Sequence, residues 1–226
     1  KEDPTPFHPS SEADHEARDT LLVQQLIAED LGTRRFHFST VMEAASGYPV
    51  IPLDPSHKIH AALLHRLRIE LTTITETLGK EDSPVREERR INEVSRHFED
   101  ALLSQFGHDA EWKIEIPPTR EGRLQRSGYP DLKITHLASS SVFYLDPKLV
   151  EQNSWNSSFR SFYFEPKAKT LKINDPAVHL LIGIGHDGNS GAWRFPEFRI
   201  VDLASLKLRL KPEFQASNAA LYPEDS

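Results

Sequence analysis

At 226 residues, with a formal net charge of −7 and no cysteine, the chain has room for one large domain and a core of its own. The missing cysteines exclude disulfide frameworks, thiolate zinc sites and thiol catalysis. No apolar run nears the ~20 residues that span a bilayer, and Lys1-Glu2-Asp3-Pro4 has no signal-like apolar segment. A cytoplasmic protein with no membrane partner is therefore the expectation.

Residues 1–18, rich in Pro, Ser, Asp, Glu and His, read as a flexible arm. The apolar positions Leu21, Leu22, Leu26 and Ile27 predict a helix over 19–31, stopped near Gly32. Residues 36–56 mix aromatics with Gly47, Pro49, Pro52 and Pro55 and predict a packed but irregular stretch. From Ser56-His57-Lys58, the spacing of Ile59, Leu63, Leu64, Leu67 and Leu71 predicts a helix reaching Leu78-Gly79. Residues 19–82 are thus expected to form a helical N-terminal region packed on a core built from 83–226.

Ser83-Pro84-Val85-Arg86-Glu87 has the chemistry of a helix start, and the helix it opens is predicted to run to Phe106, with Gly107 as its stop. Its buried stripe is Ile91, Val94, Phe98, Ala101, Leu102 and Phe106; Glu99 borders that stripe, whereas Glu93 points away from it. Trp112-Lys113-Ile114-Glu115-Ile116 alternates as a strand does and ends at Pro117-Pro118. A basic loop, 119–128, carries Arg120, Arg123 and Arg126.

Two strand-like stretches follow, at 129–137 and 141–151, separated by a Ser-rich hairpin at 138–141. Alternate residues of an extended chain share a face. Asp131 is therefore opposed to Leu132 and Ile134, and Asp146 shares a face with Lys148 while Phe143, Leu145 and Leu149 take the other. Pairing of the two strands would bring two carboxylates and an amine to one edge of the sheet. Farther on, Phe159–Phe164 predicts a strand or short buried helix, His179–Ile184 a buried strand and Phe198–Leu203 an edge strand. The order of elements predicts a mixed α/β or α+β core.

Two acids and a lysine are the minimum kit for metal-assisted hydrolysis of a phosphodiester. The string Asp-x-Lys alone has no specificity, since Asp131-Leu132-Lys133 matches it and Glu165-Pro166-Lys167 is close to it. A site built on Glu165 and Lys167 with Asp146 ranks second, because it leaves Pro130-Asp131 without a role. The weight lies in the order: basic loop, Pro-Asp at a strand entry, hairpin, then an apolar strand carrying Asp-x-Lys. The bland reading is a set of surface ion pairs on half-exposed strands, worth little. Total charge speaks against indiscriminate polyanion binding, but Arg86, Arg89, Arg90 and Arg96, and the later Arg120, Arg123 and Arg126, are clustered.

Pro130-Asp131 and Asp146-Pro147-Lys148, with fourteen residues between the aspartates, resemble the signature of the PD-(D/E)xK nuclease superfamily across about 85–185. The resemblance implies a restriction-endonuclease-like mixed central sheet flanked by helices. It implies that Asp131 and Asp146 bind Mg²⁺, with Mn²⁺ as a substitute, that Glu99 completes the metal shell, and that Lys148 orients or activates the attacking water. Glu93 stands in reserve for Glu99, and the Pro147 carbonyl is a further candidate ligand. With its helical N-terminal region the chain is similar to type II restriction endonucleases, which implies sequence-specific cutting of double-stranded DNA and a homodimer. Arg120, Arg123 and Arg126 would then engage phosphates, and Lys207–Lys211 and Phe214–Asn218 would add DNA contacts. The alternative is a non-catalytic DNA-binding or interaction domain on a nuclease-like α/β fold.

Gly183-Ile184-Gly185-His186-Asp187-Gly188 spells a dinucleotide fingerprint, but Asn189-Ser190-Gly191 reads as a turn where a helix should receive the pyrophosphate. No nucleotide cofactor is expected. His60 and His65 are five apart on a helix and His179 and His186 flank one strand, so no zinc site is expected either.

Overall fold

The computed structural model describes residues 12–107, 109–158, 162–211, 213, 215 and 217. The chain divides into two units, Lys1–Phe36 with Lys207–Ser226, and His37–Leu206. In the first unit, helix α1 (Glu12–Ala28) begins earlier than the apolar positions predict. Glu, Ala and Arg are good helix formers, so the helix extends without an apolar stripe to seed it. Leu21, Leu22 and Ile27 on this helix are exposed. The two-residue strand β1 (Phe36–His37) falls where the units meet in sequence.

The second unit opens with helix α2 (Phe38–Ser46), in a stretch expected to be irregular. Phe38, Met42 and Ser46 recur every four residues and are buried, and the Gly47 amide closes the helix on the Glu43 carbonyl at 2.8 Å. The surrounding prolines and aromatics hide so short a period. Helix α3 (Lys58–Leu78) forms as its spacing predicts.

The helix predicted from Ser83 is divided. The Ser83 hydroxyl accepts from the Val85 amide, Pro84–Glu87 makes a 3₁₀ turn, and α4 (Ile91–Phe106) starts only after it. The indole of Trp193 donates to the Glu88 carbonyl at 3.0 Å, and the Ser190 hydroxyl donates to the Arg89 carbonyl at 2.8 Å. Those carbonyls serve a distant loop instead of a continuous helical ladder, an arrangement invisible to local sequence.

Five strands make the central sheet: β2 (Trp112–Glu115), β3 (Leu132–His136), β4 (Ser141–Glu151), β5 (Val178–His186) and β6 (Glu197–Asp202), in that spatial order. All neighbours are antiparallel except β4 and β5, which are parallel. This mixed sheet flanked by helices is the expected fold class. One core gathers Leu132, Ile134, Phe143, Leu145, Leu180 and Ile182 of the sheet with Leu63, Leu67 and Leu71 of α3 and Val94, Phe98 and Leu102 of α4. Each such side chain contributes about 1.5–3 kcal/mol by leaving water. A second, aromatic cluster joins Phe38, Tyr129, Tyr144 and His179.

Of the predicted aromatic element at Phe159–Phe164, Phe159, Arg160 and Ser161 lie outside the described residues, and Phe162–Phe164 is irregular. Strand β6 ends the sheet, as expected of an edge. The glycines of the apparent fingerprint have a packing role: a Cβ on Gly183 would lie 3.0 Å from the Trp155 ring, and one on Gly185 would lie 2.9 Å from Glu197. Strand β7 (Lys207–Leu208) belongs to the first unit. Among the described residues no helix is long and apolar enough to cross a membrane.

Candidate active site

The pairing of β3 with β4 ends at Leu132 and Leu145. Beyond that pair, β4 runs on for six residues, Asp146–Glu151, beside β5 alone. Pro130 lies just before β3, and Pro147 sits in the half of β4 that pairs with β5 alone. Neither has an amide hydrogen to donate, so both are tolerated where the β3–β4 ladder has stopped. One step past the last pair, Asp131 and Asp146 come opposite each other. The parting of the strands opens a cleft of about 850 Å³, lined by Glu99, Tyr129, Asp131, Asp146, Pro147 and Lys148 among others.

Lys148 Nζ stands 2.6 Å from Asp146 Oδ2 and 3.4 Å from Asp131 Oδ2. It also donates to the Pro147 carbonyl at 3.4 Å. Asp146 is 3% exposed, and its Oδ2 meets the close amine off the usual hydrogen-bond angles. The 2.6 Å contact therefore acts as an ion pair without hydrogen-bond angles. Burial, and then the neighbouring Asp131 charge, push the Asp146 carboxyl up to about 7. Burial works against the charged amine of Lys148, but Asp146 and Asp131 outweigh it and hold its pKa above the ordinary lysine value.

Glu99 reaches the same cleft from α4. Burial and the Asp131 charge raise its pKa, opposed by Arg126, whose guanidinium donates to Glu99 at 3.2 Å and to Asp100 at 2.5 Å. Glu93 lies at the N-terminus of α4, where its carboxylate accepts from the Arg90 amide at 3.4 Å. It does not line the cleft.

The three arginines of the basic loop differ. Arg126 is engaged by Glu99 and Asp100, and Arg120 donates to the Ala45 carbonyl at 2.7 Å. Arg123 is exposed and makes no ion pair among the described residues. Lys133 is held by Asp175 at 2.6 Å, and Lys167 pairs with Glu165 at 2.9 Å on the surface. His179 is buried and stacked on Tyr129, and burial pushes its imidazole down to about 3, so it stays neutral. Of the C-terminal candidates, Phe214, Ala216 and Asn218 lie outside the described residues.

A hard divalent cation prefers carboxylate and carbonyl oxygens. Asp131, Asp146, Glu99 and the Pro147 carbonyl supply only such oxygens, and the buried Asp146 Oδ2 has the Lys148 ammonium as its close partner. The donor set therefore fits Mg²⁺ in kind. No three acids or histidines among the described residues are drawn together tightly enough to clasp an ion as they stand. Lys148 lies between the two aspartates, and Arg126 engages Glu99.

Sequence reasoning missed three contributors to this region. Tyr163 and Thr170 line the cleft from a segment whose local pattern is not regular. Lys172 is 0% exposed although its setting, Leu171-Lys172-Ile173, reads as an ordinary half-exposed alternation. A lysine between apolar residues was the only signal available.

The model of the Type II restriction enzyme MjaV family matches residues 31–225. A curated relative, the "Type II restriction enzyme MjaV" of Methanocaldococcus jannaschii, is 30% identical over 204 residues, covering 84% of this chain and 86% of the relative.

Proposed function

The chain belongs to the Type II restriction enzyme MjaV family, and from that membership we propose that it is a Mg²⁺-dependent endonuclease of the PD-(D/E)xK type. Its substrate is double-stranded DNA, cut at a specific sequence. The observation that carries this reading is the meeting of Asp131, Asp146 and Lys148 at the parted end of β3 and β4, with Glu99 on the wall of the same cleft.

Asp131, Asp146, Glu99 and the Pro147 carbonyl are the groups that would hold the cation. When bound, the cation supplies Lewis acidity and offsets negative charge at the scissile phosphate. Lys148, kept charged by its two aspartates, is a hydrogen-bond donor beside the reacting centre. It fixes the attacking water or a phosphate oxygen and balances the charge that builds up there. Lys148 stands between the two aspartates, so their oxygens would turn from the amine to the cation, with Lys148 still beside them. Release of Glu99 by Arg126 frees the third acid, and leaves a guanidinium suited to a phosphate. Arg123, exposed on the same loop, tracks the DNA backbone. A homodimer suits a palindromic site.

The test is incubation of a long mixed-sequence duplex with the protein and Mg²⁺, with EDTA as control. Discrete fragments that disappear with EDTA are expected. Retention of DNA in a gel shift with no cutting in Mg²⁺ or Mn²⁺ would favour the non-catalytic binding domain instead.

A further inference from the structure

Lys172 takes no part in the cleft lining, yet its whole side chain is buried. A buried ammonium is costly unless hydrogen bonds and opposite charge surround it. Here the Lys172 amine donates to the Arg126 carbonyl at 3.0 Å and to the Gln125 carbonyl at 3.4 Å. Burial pushes its pKa down, while the fields of Asp131, Glu99 and Asp146 oppose that shift. Three acids of the proposed site thus share a cation that none of them touches.

The neighbouring backbone is tied to the same loop. The Lys172 amide donates to the Tyr129 carbonyl at 2.8 Å, and the Arg120 amide donates to the Leu171 carbonyl at 3.1 Å. Gly128, at φ +90°, runs so close to Thr170 that a Cβ would lie 2.0 Å from the Thr170 carbonyl oxygen. Residues 170–172 therefore form a template on which 120–129 is laid. The loop's two ends of interest are Arg126, which engages Glu99, and Tyr129-Pro130, which delivers Asp131.

We propose that Lys172 is a positioning residue, whose buried amine fixes the 125–131 segment and so sets Asp131 and the Arg126–Glu99 pair in register with Lys148. The inference rests on the assignment of Asp131 and Glu99 to the nuclease centre. It acts at a distance from substrate, through the Gln125 and Arg126 carbonyls.

Lys172→Met keeps the volume of the side chain and removes its donors. Hydrogen exchange of the metal-free variant is expected to quicken about tenfold in peptides covering 120–131, with α3 and β5 unchanged. Single-turnover cleavage at saturating DNA falls about a hundredfold, the scale of an ångström's misplacement. DNA affinity, measured with Ca²⁺ in place of Mg²⁺, stays close to that of the wild type. Gly128→Ala displaces the same loop from the other side and is expected to reproduce the pattern if Lys172→Met does not fold. Unchanged exchange in 120–131, or a rise of equal size throughout the protein, would overturn the proposal. So would a loss of DNA affinity as large as the loss of rate. A wild-type protein that cuts nothing, with Lys172→Met still loosening 120–131, would refute the nuclease reading while the tethering of the loop stood.

Discussion

Asp146 occupies a position that costs stability. It is almost fully buried, faces Asp131, and has its pKa raised to about 7 chiefly by loss of solvent. A carboxyl whose folded pKa lies above its unfolded value, about 4, destabilises the fold as pH climbs between the two and does so fully above the higher one. Asp146→Asn, which is neutral and of similar shape, is therefore expected to raise the melting temperature of the metal-free protein at pH 8. A relief of about 1 kcal/mol corresponds to roughly 2–4 °C for a domain of this size. The gain should fade as pH falls towards about 4, and cleavage should be abolished. That pattern is what the proposed catalytic role of Asp146 would produce, stability given up for function. A second consequence concerns cleavage itself. Protons and the cation compete for Asp146, so the rate should fall as pH drops through about 7, and a higher Mg²⁺ concentration should move that fall to lower pH. A fall that ignores Mg²⁺ concentration would mean that Asp146 does not hold the ion.

At the scale of elements, the site exists because β3 stops pairing while β4 continues. Leu145, buried in the last β3–β4 pair, marks the boundary between the packed and the open halves of β4. Leu145→Ala is expected to cost about 2–5 kcal/mol in chemical denaturation and to slow cleavage by shifting Asp146. The same elements mark what the sequence makes legible. Alternation along Leu132–Ile134 foretells β3, and the apolar run Val142–Leu145, buried on both faces, foretells β4. Helix α3 is legible for the matching reason, a long apolar stripe. The break before α4 is not, since its cause is Trp193 and Ser190, about a hundred residues away. Helix α2 hides among prolines, with one buried residue per turn. Lys172 is hidden more deeply, because burial of an amine depends on carbonyls brought in from Gln125 and Arg126. The glycines at 183 and 185 make room for Trp155, a packing role that their local sequence does not disclose.

On the scale of the whole molecule, a net charge of −7 means that DNA must be held by a local basic surface, not by the overall field. Arg120 and Arg126 have protein partners, so Arg123 is the loop arginine most available to phosphate. Arg123→Ala is expected to weaken binding evenly across DNA sequences and to lower the slope of log affinity against log salt by about 1. Unequal loss between sequences would assign Arg123 to base recognition instead. The proposed chemistry needs the Lys148 amine and the two aspartates to act together. The measurement that tests it most directly is digestion of a long mixed-sequence duplex in Mg²⁺ by the wild type and by Lys148→Ala, at protein concentrations that saturate both with DNA. Discrete fragments from the wild type and none from the variant are the expected result. Equal cutting by Lys148→Ala would contradict the account and move the search for the catalytic lysine to Lys167 and Lys133.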